Sequence, residues 1–162
     1  RIPWATPTMH EEEMNFVREA FEKNWIAPLG FNCDNFETEL AAFLGENRQT
    51  LSLCSGTAAL HLAVKLAGIQ PGDIVFSSDL TFAATCNPIT YEKATPVFID
   101  SEAETWNMDP EALEKAFQLC PDVKIVVLVH LYGTPARMDE INAIIRRAQT
   151  VVMIGHAADI LT

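Results

Sequence analysis

The sequence predicts an α/β fold, a mostly parallel β-sheet flanked by helices. Three observations predict it. From residue 50 onward, short strand-like runs alternate with helix-length runs. Turn chemistry separates them: Gly68, then Gln70-Pro71-Gly72-Asp73, then Asp109-Pro110. The run "VKIVVLVH" is rich in β-branched residues, which favour strands. Strands joined by helices run parallel and are covered on both faces.

Each element has its own signal. Thr8-x-x-Glu11 forms a capping box. Met14, Val17, Phe21 and Trp25 then recur at steps of three and four, which predicts an amphipathic helix. "NWIAPLGFN" is a loop. A second helix aligns Phe36, Leu40, Phe43 and Leu44 and stops at Gly45. "TLSLC" predicts a short buried strand. "TAALHLAVKLAG" predicts a helix whose polar line is Thr57, His61 and Lys65, so narrow that protein nearly surrounds it. "IVFSS" is the next strand. "TFAATCNPITYEKA" is a helix kinked or shortened by Pro88. "TPVFID" is a strand. Asp109 caps a helix opened by Pro110. "VKIVVLVH" is a strand, Met138, Ile141, Ile145 and Ala148 mark a last helix, and "TVVMI" is a last strand. Residues 1–45 form an N-terminal helical segment and residues 46–162 a sheet domain. No closing helix follows "GHAADILT", so the expectation is a fragment of a longer protein or a truncated relative.

Composition removes several function classes. The net charge of -11 opposes wrapping a phosphate backbone, so no nucleic-acid partner is expected. The apolar runs fall short of the roughly 20 residues that span a bilayer, so no membrane partner is expected either. Cys33, Cys54, Cys86 and Cys120 form no C-x-x-C pair, and the default reading is a reduced cytoplasmic protein. His10, His61, His130 and His156 show no metal-ligand spacing, and no metal is expected.

The chemistry centres on Ser55-Gly56-Thr57, where a strand pattern becomes a helix pattern. In open parallel sheets, ligands bind beyond the carboxyl ends of strands. A helix N-terminus there offers unpaired N–H groups and partial positive charge to an anion such as a phosphate monoester. Two readings stand at this turn: an anion cup, or a simple cap made by Ser55 or Thr57. The sequence has no G-x-x-x-x-G-K-[ST], G-x-G-x-x-G or G-x-S-x-G, which disfavours nucleotide-triphosphate, dinucleotide and serine-hydrolase sites.

The motifs "SGTAALHLA", "PGDIVFSSDLTFAATCNPI", "ATPVFID", "TWNMDPEALEKA" and "VHLYGTPARMDEI" follow one another in the order of one family. The chain resembles the DegT/StrS-type sugar aminotransferases, with "NWIAPLG" and "NFETELAAFLG" similar to that family's N-terminal segment. The resemblance implies the large domain of the aspartate aminotransferase fold (fold type I of pyridoxal-phosphate enzymes), incomplete and lacking the C-terminal small domain. It implies pyridoxal 5'-phosphate as cofactor, a nucleotide-linked keto sugar and an amino-acid donor, commonly glutamate, as substrates, and a homodimer. By the same resemblance Gly56, Thr57 and Ala58 hold the cofactor phosphate, and Phe82 stacks on the pyridine ring. Without it, Phe82 reads as core. His130 and Tyr132 stand at a strand's carboxyl end, facing either the site or their own turn. Tyr91 and Trp106 read as core or interface.

Two departures from the family bear on activity. His156 stands where the family's Asp pairs with the pyridine nitrogen, and Gly155 where a Glu precedes it. Asp159 falls where a polar residue commonly meets the cofactor's 3-hydroxyl. A neutral imidazole supports a pyridinium less strongly than a carboxylate does. The Schiff-base Lys of the family lies beyond the end of this chain, and none of Lys23, Lys65, Lys93, Lys115 and Lys124 lies in a matching motif. The expectations are therefore a truncated nucleotide-sugar aminotransferase, inactive alone, or a non-catalytic relative that binds a phosphate ligand or a partner subunit. A generic α/β nucleotide-binding module is the third reading.

Overall fold

A computed structural model of the chain describes residues 8–45, 47–148 and 152–158. The chain divides into two compact units, Arg1–Cys54 and Ser55–Ile160.

The first unit holds helices α1 (Glu13–Glu22) and α2 (Phe31–Leu44). The Thr8-x-x-Glu11 capping box does not form. Glu11 sits at φ 73, where a helix cannot continue, and α1 starts after it with no side-chain cap. The Glu13 carboxylate instead accepts the His10 backbone N–H at 2.7 Å, a contact that draws its pKa below the usual carboxylate value. Met14, Val17 and Phe21 lie on α1 and are exposed, while Trp25 lies beyond its end and donates its N–H to the Ala20 carbonyl. Helix α2 starts at Phe31, ahead of the Phe36 stripe, because Gly30 breaks the chain at φ 149. A Cβ there would press within 3.2 Å of the Trp25 ring. The "TLSLC" run is not a strand. Leu51 and Leu53 are exposed, and the segment spends its polar groups on α2: Ser52 donates its N–H and its hydroxyl to the Glu37 carboxylate at 2.7 Å each, and Thr50 donates to the Glu37 carbonyl. Strand propensity becomes a strand only where a neighbouring backbone is available to pair.

The second unit is the sheet. Its elements are α3 (Gly56–Leu66), β1 (Ile74–Ser78), a 3-10 turn (Ala83–Thr85), α4 (Asn87–Tyr91), β2 (Thr95–Ile99), α5 (Pro110–Leu119), β3 (Ile125–Leu131), α6 (Met138–Arg147) and β4 (Val152–Ala158). The strand order is β2-β1-β3-β4, and every pairing is parallel. Two cores form on opposite faces, as the two-residue period of a strand requires. Phe76, Val126 and Leu128 pack with Leu113 of α5 and Ile141 and Ile144 of α6. Val75, Ile125, Val127 and Ile154 pack with Leu60 and Val64 of α3 and Ile89 of α4.

Two expectations change here. Helix α3 is not nearly surrounded: it buries Leu60 and Val64, while Leu66 is 79% exposed. Its polar line is used laterally, with His61 2.6 Å and Lys65 3.5 Å from the Glu92 carboxylate. The "TFAATCNPITYEKA" helix splits into the 3-10 turn and α4, because Pro88 lacks the N–H needed inside a helix and fits only a helix start.

The strand order positions the site. The chain goes from β1 to β2 on one side, then returns past β1 to β3 and β4 on the other. The switch point falls between the carboxyl ends of β1 and β3, where ligands of open α/β sheets bind. Helix α3, about 16 Å long, connects through the short turn of residues 67–73 to β1, of about equal length. It therefore runs opposite to the strands, and its N-terminus stands at their carboxyl edge.

Candidate functional site

Three segments meet around the carboxyl edge: the start of α3, the loop and 3-10 turn after β1, and the end of β4. Helix α3 packs against both the 3-10 turn and β4.

At the start of α3, the cap and cup readings prove compatible. Ser55 is the N-cap, in extended geometry, and its Oγ accepts the Ala58 N–H at 3.2 Å. The Ala59 N–H goes to the Ser55 carbonyl. The N–H groups of Gly56 and Thr57 fall in the first turn, where a helix supplies no acceptor of its own. A Cβ built on Gly56 would meet nothing within 4 Å, so the space beside Gly56 at the start of the helix is open. Thr57 and Ala58 are half-buried. The arrangement suits an anion approached by backbone donors at the positive end of a helix dipole.

Phe82 opens the 3-10 turn in extended conformation and is 65% exposed. Its core reading is thereby excluded, and the ring face is open to a flat partner. Ala84 and Thr85, two and three positions on, are buried. Thr85 is fully buried, and its Oγ1 lies 2.7 Å from Thr81 Oγ1 and 2.9 Å from His156 Nδ1. His156 pairs in register with Val129 and shares a sheet face with Ile154, the face that packs under α3. Asp159 lies outside the described residues.

The other edge residues have structural employment. His130 accepts the Ala136 N–H on Nδ1 at 3.1 Å, closing its own strand-end turn. Tyr132 follows it, exposed, at φ 49. Tyr91 and Trp106 are exposed and are not core residues. Tyr91 instead stands edge-on to the His61 ring at 5.4 Å between centroids.

Sequence reasoning missed two residues at this edge. Thr85 is one. Asn107 is the other: it is buried, its Oδ1 accepts the Leu131 N–H at 2.9 Å, and its Nδ2 donates to the Thr134 carbonyl and to Thr105 Oγ1, each at 3.0 Å. It braces the loop after β2 against the loop after β3. Neither residue stands out locally, because the contact that ties it to this edge reaches a distant part of the chain, His156 for Thr85 and Leu131 and Thr134 for Asn107.

Among the described residues, nothing comparable stands at the amino edge. A cavity of about 360 Å³ opens there among Gly72–Val75 and Leu119–Ile125, at the wrong ends of the strands for a helix N-terminus to face it. Lys93 precedes β2 and Lys124 precedes β3 at this same edge, Lys65 is paired with Glu92 late in α3, and Lys115 lies midway along α5. Among the described residues, no cluster of His, Cys, Asp and Glu is placed to hold a metal ion, and no helix is long and apolar enough to cross a membrane.

The chain was compared with known proteins. The family model of the DegT/DnrJ/EryC1/StrS aminotransferase family matches residues 7–160. EpsN of Bacillus subtilis (strain 168), which bears the name of a pyridoxal phosphate-dependent aminotransferase, is 46% identical over 99% of this chain and 42% of its own length. GDP-perosamine synthase of Caulobacter vibrioides is 37% identical over 94% of this chain and 40% of its own. Among solved structures, an aminotransferase from Psychrobacter cryohalolentis is 30% identical and superposes with a TM-score of 0.81, over 94% of this chain and 38% of that one. The chain thus spans about two fifths of the length of the relatives it matches.

Proposed function

Because the chain belongs to the DegT/DnrJ/EryC1/StrS aminotransferase family, we propose that it forms the cofactor-phosphate side of a pyridoxal 5'-phosphate enzyme. That enzyme moves an amino group from an amino-acid donor, glutamate, onto a keto sugar carried on a nucleotide. The observation that carries the reading is the start of α3: open space over Gly56 and two first-turn amides at the carboxyl edge of a parallel sheet. Family relatives support the substrate class, one of them being a GDP-perosamine synthase.

The residues present fit the cofactor in two of three respects. The Gly56 and Thr57 amides and the Thr57 hydroxyl hold the phosphate, and Ala58 joins them if its bond to Ser55 yields to the stronger anionic acceptor. The exposed Phe82 ring covers one face of the pyridine by offset stacking. At the ring nitrogen the fit is partial, since His156 brings an imidazole where the family brings a carboxylate. By the family resemblance alone, Asp159 is assigned to the cofactor's 3-hydroxyl. When bound, the cofactor supplies an electron sink for the amino-acid carbon; the chain's own residues bind it, orient it and cover one face. Residues 46–162 belong to the large domain, the protein works in the cytoplasm, and two copies associate as a homodimer.

The lysine positions favour a second reading for the 162-residue chain taken alone. No lysine of the sheet unit stands at the carboxyl edge, so the chain binds the cofactor without forming a covalent bond to it and does not carry out transamination.

The test is a direct calorimetric titration of the purified chain with pyridoxal 5'-phosphate, followed by borohydride reduction and peptide mapping. Saturable binding with no single labelled lysine is the expected outcome. Absence of binding up to about 1 mM, a limit of roughly 4 kcal/mol, would overturn the cofactor reading. Specific labelling of one lysine would overturn the non-catalytic one.

A further inference from the structure

We propose that the side of β4 turned away from β3 is where two copies of this chain join, strand against strand and antiparallel. The strand order leaves two outer sides, that of β2 and that of β4. Along a strand, the amide groups of successive residues point to alternate sides. In β2, Thr95 donates its N–H to the Asp73 carbonyl at 2.8 Å, the residue before β1. Thr95, Val97 and Ile99 therefore turn their amides toward β1, and Pro96 and Phe98 turn theirs outward. Pro96 has no N–H, so this side is blunted as the edges of natural sheets commonly are.

The side of β4 has no such device. Val152 donates its N–H to the Lys124 carbonyl at 2.7 Å, the residue before β3. Val152 and Ile154 thus face β3 with their amides, and Met153, Gly155 and Ala157 face outward. Among the described residues, no strand pairs with that side. The strand "VMIGHAA" contains no Pro, Lys, Arg, Asp or Glu. An unpaired edge without these residues is a template for a further strand.

A second copy is the occupant this side fits, because β4 is complementary to itself. A two-fold axis perpendicular to the sheet at Gly155 sets Gly155 against its own counterpart and Met153 against the counterpart of Ala157. Each is then a hydrogen-bonded pair of an antiparallel ladder, exchanging two N–H···O bonds with Cα atoms about 5.5 Å apart. Gly155 brings no side chain to the axis, and even a Cβ built there meets nothing within 4 Å. The chain carries a net charge of -11, yet no Asp or Glu lies in β4, so the pairing brings no carboxylates together along the strand. Because it uses the same side of both copies, it closes at two. The pairing deepens the homodimer reading above and rests on it only in that two copies associate; it involves no cofactor.

A strand pair of this length, about 23 Å, makes a small interface, so association is weak and is followed by sedimentation velocity of the full chain up to about 1 mM. Expected is a monomer–dimer equilibrium. Hydrogen exchange at the Met153, Gly155 and Ala157 amides slows as concentration rises, while the Val152 and Ile154 amides, already turned to β3, keep their rates. Gly155→Lys sets like charges across the axis and weakens the dimer by about tenfold or more, and Gly155→Glu does the same. An equal mixture of these two variants regains association as a heterodimer, and Gly155→Ala keeps the parent Kd. If the charged variants fail to fold, the exchange rates of the parent chain decide the matter. A monomer at every concentration would overturn the pairing together with the homodimer reading. A dimer that leaves the Met153, Gly155 and Ala157 rates unchanged, or that ignores both charges in folded variants, would overturn the pairing and leave the homodimer standing.

Discussion

Gly56→Ala separates a phosphate cup from a cap. Gly56 is the first residue of α3, its φ lies outside the left-handed region, and an added Cβ meets no heavy atom within 4 Å. The free protein therefore pays no strain for the methyl group. It gains instead, because alanine leaves the unfolded chain less freedom to lose, by about 0.4–1 kcal/mol. For a chain of this size that is a rise in Tm of roughly 1–4 °C. The same methyl fills the space a phosphate oxygen needs to reach the Gly56 and Thr57 amides. Losing one such charge-assisted bond costs about 1.5–3 kcal/mol, a roughly 10–150-fold weaker Kd. Differential scanning calorimetry and titration with pyridoxal 5'-phosphate measure the two effects on one sample. Opposite signs, more stable and weaker binding, are expected. Unchanged affinity would show that the open space over Gly56 is not where the ligand sits, and a fall in Tm would show that the start of α3 is more crowded than the structure has it.

Three further changes test neighbouring parts of the site. Thr57→Val keeps the shape of the side chain and removes its hydroxyl, so cofactor binding should weaken by about 1.5–2 kcal/mol in the same titration. Phe82→Ala removes an exposed ring, so Tm should move little, within about 0.5 kcal/mol of stability, while cofactor affinity drops by about 0.5–1.5 kcal/mol; a large loss of Tm with normal binding would return Phe82 to the core. The His61 hydrogen bond, then the Lys65 charge, draw the Glu92 pKa below its ordinary 4.5 against an opposing desolvation. A depressed folded-state pKa contributes stability that is present above pH 4.5 and is lost as pH falls through the folded value, so Glu92→Gln should flatten the decline of Tm below that pH, as read by circular dichroism.

Much of the second unit was legible residue by residue. "IVFSS" becomes β1 with the same limits, "TPVFID" contains β2, "VKIVVLVH" holds β3 except its last residue, Leu131, and "TVVMI" holds only the first three residues of β4, which runs on to Ala158. Such runs announce themselves because β-branched side chains buried on both faces are local composition. The Asp109-Pro110 start of α5 is local too, since the Asp109 carboxylate accepts the Glu111 N–H within the same turn. The Ser55-Gly56-Thr57 break was visible for the same reason: strand, small residues and helix adjoin in sequence.

What the sequence could not determine depends on partners far along the chain. "TLSLC" has the composition of a strand, yet Ser52 and Thr50 bond Glu37 on a helix. "TAALHLAVKLAG" has the apolar content of an enclosed helix, yet Leu66 is exposed. Phe82 reads as core from its residue type alone, because an aromatic side chain suits a core as well as a site, and its exposure goes against that reading. Thr85 meets His156 across 71 positions, and Asn107 meets Leu131 across 24. Hydrophobic periodicity reports which face of an element is apolar and which turns can form. It contains no information on which distant polar atom will satisfy a buried hydroxyl, because that choice is made when the strands take their order in the sheet and the last unpaired donors find acceptors.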